Sequence, residues 1–199
     1  MTFLYKYNKR ILDLFISIAL LLLVGWLIIL LIILSSLIFK ENGLFKQKRV
    51  GKNGLFFTIY KIRTLKNGIN DKYSNYGVFI RKYKLDELPQ LINVLIGNMS
   101  MVGPRPDLLK KEEISSEAVI KILEMKPGIT SLASIKFCNE EFLLENQKDP
   151  ITFYQNKIYP KKVELNELYL KNKSLYLDVK ILIRTLCLLF KTSTIHNEK

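Results

Sequence analysis

Two adjacent carboxylates, Asp86 and Glu87, follow the cations Arg81, Lys82 and Lys84 in the most basic third of the chain. A carboxylate among fixed positive charges stays ionised. Ionised, it has two uses against a phosphorylated substrate: it binds Mg²⁺, or it attacks phosphorus. Adjacent positions on a helix diverge by ~100°, so the two acids take separate roles rather than share one proton. The pair also reads as ordinary acids in the first turn of a solvated helix, where the dipole favours negative charge. Spacing alone leaves both readings open.

Other chemistries lack their residues. His196 is the single histidine and lies in a polar tail, so Ser/His/Asp and Cys/His catalysis have no base. Neither a phosphate-binding G-x-x-x-x-G-K-[ST] loop nor a G-x-G-x-x-G turn occurs, which disfavours P-loop kinases and dinucleotide enzymes. Cys138 and Cys187 are too few for a disulfide framework and have no zinc-site spacing. Any reaction rests on carboxylates and cations.

The 199 residues carry 31 Lys+Arg against 18 Asp+Glu, a net charge of +13. Residues 41–100 hold +7 of it, with +3 on each side. A basic block of this kind attracts phosphate on nucleic acid, anionic lipid or a small substrate. With 49% apolar residues the chain is too hydrophobic for long disorder, and its length suits one modest domain.

The elements that must position the acids follow from patterning. Residues 14–39 contain no charge and form a helix longer than a ~30 Å hydrocarbon core. Lys6, Lys9 and Arg10 precede this run, and Lys40, Lys46, Lys48, Arg49 and Lys52 follow it. Both flanks thus carry the charge of a cytoplasmic side. A re-entrant helix bent at Gly25-Trp26 satisfies both ends; one tilted spanning helix is the other reading. Residues 45–50 and 55–62 read as a β-hairpin turned at Asn53-Gly54, presenting Lys48, Arg49, Lys61 and Arg63. Residues 64–78 read as a polar loop. A helix is expected from about Asp86 to Gly97, with Pro89 in its first turn. Residues 108–125 read as a charged amphipathic helix, and residues 177–191 as one that lies on a bilayer or packs into the core.

The run Lys84-Leu-Asp-Glu-Leu-Pro-Gln-Leu-Ile-Asn-Val-Leu-Ile-Gly-Asn-Met-Ser-Met-Val-Gly-Pro-Arg-Pro106 closely resembles the core signature of the bacterial sugar transferases, the monotopic polyprenol-phosphate phosphoglycosyl transferases. Matching pieces occur in order around it: Lys9-Arg10 with Asp13, Ile59-Tyr60-Lys61-Ile62-Arg63-Thr64, and Lys126-Pro127-Gly128-Ile129-Thr130. The similarity covers nearly the whole chain, at the length of the family's compact form.

The resemblance implies an α+β, mostly helical monotopic membrane protein, with a re-entrant membrane helix, a small β-hairpin and interfacial amphipathic helices. Residues 1–40 are then the membrane helix and residues 41–199 the membrane-associated catalytic domain at the cytoplasmic face of the bacterial inner membrane. The implied reaction moves a sugar phosphate from a UDP-sugar to undecaprenyl phosphate and releases UMP, with Mg²⁺ as cofactor. It begins a surface glycan such as O-antigen, capsule, exopolysaccharide or glycoprotein, whose downstream glycosyltransferases are further partners. Asp86 is implied as the nucleophile that forms a phosphosugar-aspartyl intermediate, with Mg²⁺ at its carboxylate. Glu87 is its acidic partner in metal placement or deprotonation of the lipid phosphate. Lys61, Arg63, Arg81 and Arg105 are candidates for substrate phosphate, Arg105 being stiffened by Pro104 and Pro106. The chain departs from the family in two places. Gly25-Trp26 replaces the usual mid-membrane proline, and residues 131–141 diverge, making Lys136, Asn139 and Glu140 candidate specificity contacts. A membrane-tethered basic adaptor binding anionic lipid or RNA without catalysis is the competing class. It needs no acidic pair among its cations, and the chain has no aromatic RNA-stacking motif, so no nucleic-acid partner is expected.

Overall fold

A computed structural model describes residues 3–66, 74–106 and 116–195 of the chain. A single helix, α1 (Phe3–Phe39), takes up the whole apolar run and continues without a break through Gly25-Trp26. Its 37 residues extend about 55 Å at ~1.5 Å each. One stripe of it is buried, at Asp13, Ser17, Ile28, Leu31, Ser35 and Phe39, with Leu20, Leu21, Val24 and Leu27 packed beside the core between them. These positions recur at helical spacing, so α1 lies along the soluble body from end to end. The opposite face exposes Phe15, Leu22, Leu23, Trp26, Ile29, Ile33 and Leu37. A continuous apolar face of that size suits contact with lipid, and the helix is long and apolar enough to cross a membrane. The protein is membrane-associated through this helix.

The hairpin forms as expected. Strand β1 (Leu44–Val50) pairs antiparallel with β2 (Phe56–Ile62), Leu44 opposite Ile62 and Val50 opposite Phe56. Asn53 (φ 56°) and Gly54 (φ 74°) occupy the left-handed positions of the turn, which Asn and Gly tolerate best. Asn93 extends the ladder from outside: its Oδ1 accepts from Tyr60 N at 3.1 Å and its Nδ2 donates to Thr58 O at 2.7 Å.

Three local expectations need correction. Residues 74–78 do not belong to a loop, because α2 (Asn75–Lys82) begins there, with the Ser74 hydroxyl accepting from Gly77 N. Asn75-Tyr76-Gly77, which reads as a turn, is the helix's first turn; a Cβ on Gly77 would stand 2.3 Å from Thr64 O. Residues 64–66 of that expected loop form neither helix nor strand, and residues 67–73 lie outside the described residues. The helix expected from Asp86 is instead a 3₁₀ turn, Leu85–Glu87, and α3 (Gln90–Leu95) begins only after Pro89. Of the helix expected over 108–125, the described part is α4 (Glu117–Leu123), capped by Ser116; residues 107–115 lie outside the described residues.

Two short strands, β3 (Ser100–Val102) and β4 (Gly128–Thr130), pair in parallel. A Cβ on Gly128 would meet Gly103 N at 2.1 Å, so the close approach of these strands requires glycine there. Helices α5 (Leu132–Lys136), α6 (Glu140–Glu145), α7 (Pro150–Phe153), α8 (Tyr159–Asn172) and α9 (Leu175–Ile195) complete the chain. The main core joins Ile59, Leu91, Val94, Met99, Val102 and Ile181. Helix α9 packs into the core through Asp178 and Ile181, while Tyr176, Val179, Ile183 and Leu186 are exposed. The architecture is α+β and mostly helical, with one long apolar helix and a small sheet, as the resemblance implies.

Candidate active site

The acidic pair sits at a backbone kink. Lys84 adopts a left-handed conformation (φ 55°, ψ 23°), uncommon for a residue with a side chain and concentrated at functional sites. The kink separates α2 from the 3₁₀ turn and directs Asp86 and Glu87 inward, leaving them only 7% and 9% exposed. They are not solvated capping acids.

Two segments distant in sequence converge on Glu87. Lys61 on β2 donates to Oε1 at 3.2 Å, and Arg105 donates to Oε2 at 3.3 Å and also to Oε1. Burial by itself would raise the Glu87 pKa, but Arg105, Lys61 and Lys84 outweigh it and hold this carboxyl well below the usual range. Asp86 is perturbed in the opposite direction. Burial pushes its carboxyl up and the Glu87 anion adds to the rise, against the pull of Lys61, Arg81 and Lys84. The two acids therefore do not ionise alike, as an exposed pair would. Asp86 Oδ1 is fully buried and, among the described residues, accepts no hydrogen bond. An unsatisfied buried oxygen costs about 1–3 kcal/mol, so Asp86 is kept in a state that a cation or an electrophile relieves.

The support of this geometry runs back to the start of the chain. Arg10 donates to Val94 O at 2.7 Å and to Leu95 O at 2.8 Å, closing the end of α3. Asp13 Oδ1 accepts from Ser100 Oγ at 3.0 Å and Met101 N at 2.9 Å, holding β3. Helix α3 follows the acids and β3 precedes Pro104-Arg105-Pro106. The Arg10 and Asp13 of the N-terminal motif therefore fix both halves of the site. The β4 strand adds the last restraint: Gly128 N donates to Pro104 O at 2.9 Å and Gly103 N to Thr130 O at 3.0 Å.

Of the expected phosphate-binding cations, Lys61 and Arg105 contact Glu87, and Lys61 and Arg81 act on Asp86 through charge. Arg63 is engaged at the foot of the hairpin, with its guanidinium 2.9 Å from Glu41 and donating to Asn42 O at 2.8 Å. Lys136 and Asn139 are exposed on and after α5. Glu140 instead pairs with the buried Lys162 at 2.8 Å. Sequence reading passed over Gln90, which is 2% exposed. It also left Arg49 out of the site. Both line a small cleft with Lys61, Arg105 and Pro106. The hairpin register carried the signal for Arg49, because Lys61 and Arg49 lie on strands that pair directly.

No group of three His, Cys, Asp or Glu able to hold a metal is assembled among the described residues. Magnesium, however, usually takes one or two carboxylates together with substrate phosphates and water rather than a complete protein cage. The unpartnered Asp86 Oδ1 is a hard oxygen donor of the required kind, so the residues present fit a magnesium ion shared with substrate.

Over 186 residues the chain is 37% identical to EpsL of Bacillus subtilis, an uncharacterized sugar transferase, covering 89% of this chain and 84% of that one. It is 33% identical to the galactosyl transferase CpsE of Streptococcus agalactiae, with 92% of this chain matched to 43% of the relative. It is 30% identical to a UDP-glucose:undecaprenyl-phosphate glucose-1-phosphate transferase of Klebsiella pneumoniae, with 89% matched to 39%. The chain thus spans most of EpsL but less than half the length of the other two. The family profile of the bacterial sugar transferases matches residues 4–192, reaching from the N-terminal clasp through the acidic pair into α9, and the chain belongs to that family.

Proposed function

We propose that this protein transfers a sugar phosphate from a UDP-sugar to undecaprenyl phosphate, as the first membrane step of a surface glycan, at the cytoplasmic face of the inner membrane. The observation that carries this reading is the buried Asp86 oxygen that accepts no hydrogen bond among the described residues, in the field of Lys61, Arg81 and Lys84. Relatives named for undecaprenyl-phosphate glucose and galactose transfer support the acceptor and the type of group moved.

Asp86 attacks the β-phosphorus of the donor; its new O–P bond forms as the bond from that phosphorus to the bridging oxygen breaks, and UMP leaves with the bonding pair. An oxygen of undecaprenyl phosphate then attacks the same phosphorus and Asp86 departs as carboxylate, leaving a diphosphate-linked lipid sugar. Both steps bring anions together, so they depend on fixed positive charge present before the substrate arrives. Arg105 and Lys61 provide it, and Glu87 fixes where they stand. A carboxyl held so far below its usual pKa is a poor proton acceptor, so Glu87 acts by orienting cations rather than as a base. Magnesium, when bound, supplies further neutralisation of phosphate charge. Seating the domain along α1 keeps the lipid phosphate and Asp86 at one surface.

The test is to incubate detergent-solubilised protein with a panel of UDP-sugars, undecaprenyl phosphate and Mg²⁺ and measure UMP. Omitting the lipid and digesting the protein should reveal a sugar phosphate adduct on the peptide containing Asp86. UMP release without that adduct, or turnover that survives Asp86→Asn, overturns the mechanism.

A further inference from the structure

Helix α3 buries two side-chain amides one turn apart, and they are finished differently. Asn93 is 0% exposed, and both polar atoms of its amide are used, on Tyr60 N and Thr58 O of β2. Gln90 is 2% exposed, yet among the described residues its amide makes no hydrogen bond. Buried polar groups are nearly always paired, and one that is not calls for a partner from outside.

The position of Gln90 says what that partner is. Gln90 opens α3, and a helical side chain leans over the turn that precedes it, here Leu85–Glu87 with its two acids. The cleft it lines is completed by Arg49, Ile59, Lys61, Arg105 and Pro106, so no acidic side chain is present in the described lining. The cations in that wall are already fixed: Gln47 holds Arg49, and Glu87 holds Lys61 and Arg105. The amide is the uncommitted polar group among them. The space is about 20 Å³. At ~10–15 Å³ for each water, it takes one or two oxygen-sized groups and no ring, so neither a base nor a sugar enters it. Phosphoryl oxygens only accept hydrogen bonds, which suits walls made of N–H donors.

We propose that Gln90 binds substrate directly, its amide N–H donating to a phosphoryl oxygen seated in this cleft. The inference rests on the phosphosugar-transfer reading and adds a residue to it. Being neutral, the amide directs one oxygen without adding to the repulsion among the neighbouring cations. The oxygen belongs to the donor diphosphate or to the lipid phosphate, which share this chemistry and are told apart by the step they enter.

The experiment uses the full-length protein in detergent and divides the reaction in two. UDP-sugar and Mg²⁺ without lipid measure UMP release and adduct formation; undecaprenyl phosphate added to the isolated adduct measures the second half. Gln90→Met keeps most of the side chain's length and donates nothing. It should slow at least one half about 10- to 100-fold, the worth of a hydrogen bond to a charged group. Loss in the first half assigns the oxygen to the donor, loss in the second to the lipid. Gln90→Glu should be slower still in the same half, because its anion repels the phosphate. The thermal midpoint of Gln90→Met should be unchanged or higher, since an unpartnered buried amide has been removed; a purely structural residue would lower it. Wild-type rates in both halves, or a loss of activity that only follows a lowered midpoint, overturns the inference while wild-type turnover stands. Wild-type protein that releases no UMP from any UDP-sugar removes the transfer reading and the inference with it. If Gln90→Met does not fold, the near-isosteric Gln90→Glu decides by the same comparison of halves.

Discussion

Asp178 and Asp86 are both buried carboxylates beside cations, and they are finished in opposite ways. Asp178 on α9 is 0% exposed and has every oxygen occupied. Tyr169 donates to Oδ1 at 2.5 Å, and Tyr5 and Lys9 donate to Oδ2 at 3.0 and 2.9 Å. The cluster fastens the start of α1 to α8 and α9. Asp86 has cations in its neighbourhood but an oxygen that accepts nothing. A saturated carboxylate holds a fold together, whereas one left open among positive charges is available to an incoming phosphorus or metal. Burial does not separate the two; the hydrogen-bond inventory does.

Four substitutions test that contrast, in order of expected effect. Asp86→Asn should lower turnover on the order of 10⁴-fold, as loss of a nucleophile does, with the thermal midpoint kept or raised because a strained anion is removed. A large loss of stability in this variant would place Asp86 in the structural class with Asp178. Asp178→Ala should do the reverse. It strands Lys9 and two tyrosine hydroxyls, and breaking a buried ion pair costs about 3–5 kcal/mol, seen as a lower midpoint in detergent. Residual folded protein should still release UMP, and a folded but inactive variant would break the comparison from the other side.

Arg105→Ala comes third, with a loss of ~10²–10³-fold in turnover from one preorganised cation. Lys should restore little of it, because a point charge cannot replace a bidentate fork. Smallest is a shift in pH dependence. Because burial and the Glu87 anion hold the Asp86 carboxyl above its usual range, the acid limb of kcat/KM lies above the ordinary aspartate value of ~3.9. Activity then falls as pH drops through that raised value and Asp86 takes a proton. Glu87→Gln removes the anion that contributes to the rise, so the limb should move to lower pH even as overall activity drops. An unchanged limb would mean that a different group controls it.

Much of this protein is legible in the chain because local chemistry specifies it. The uncharged run became α1, Asn53-Gly54 made the hairpin turn, and the Pro-Gln-Leu-Ile pattern ended at Gly97, whose φ is +92°. The charge pattern singled out the acids, and resemblance implied their roles and added the Arg105 segment. Where sequence reading failed, a non-local contact had decided. Asn75-Tyr76-Gly77 has the composition of a turn, yet Ser74 caps a helix there and Gly77 lets it pack against Thr64 O. The β3–β4 pair joins residues too far apart, and in strands too short, for any periodicity to be read.

The sequence by itself determined which side chains were available: a carboxylate pair, an excess of cations around it, and a single histidine. It also determined that an apolar helix would seek lipid, since composition alone sets that preference. Only the tertiary structure decided that Asp86 and Glu87 would differ. Lys61 lies 26 residues before Glu87 and Arg105 lies 18 after it, and nothing local says which of two adjacent acids they will clamp. That choice is made by the left-handed turn at Lys84 and by α1 bracing α3 and β3, which give one carboxylate its partners and leave the other an oxygen without any.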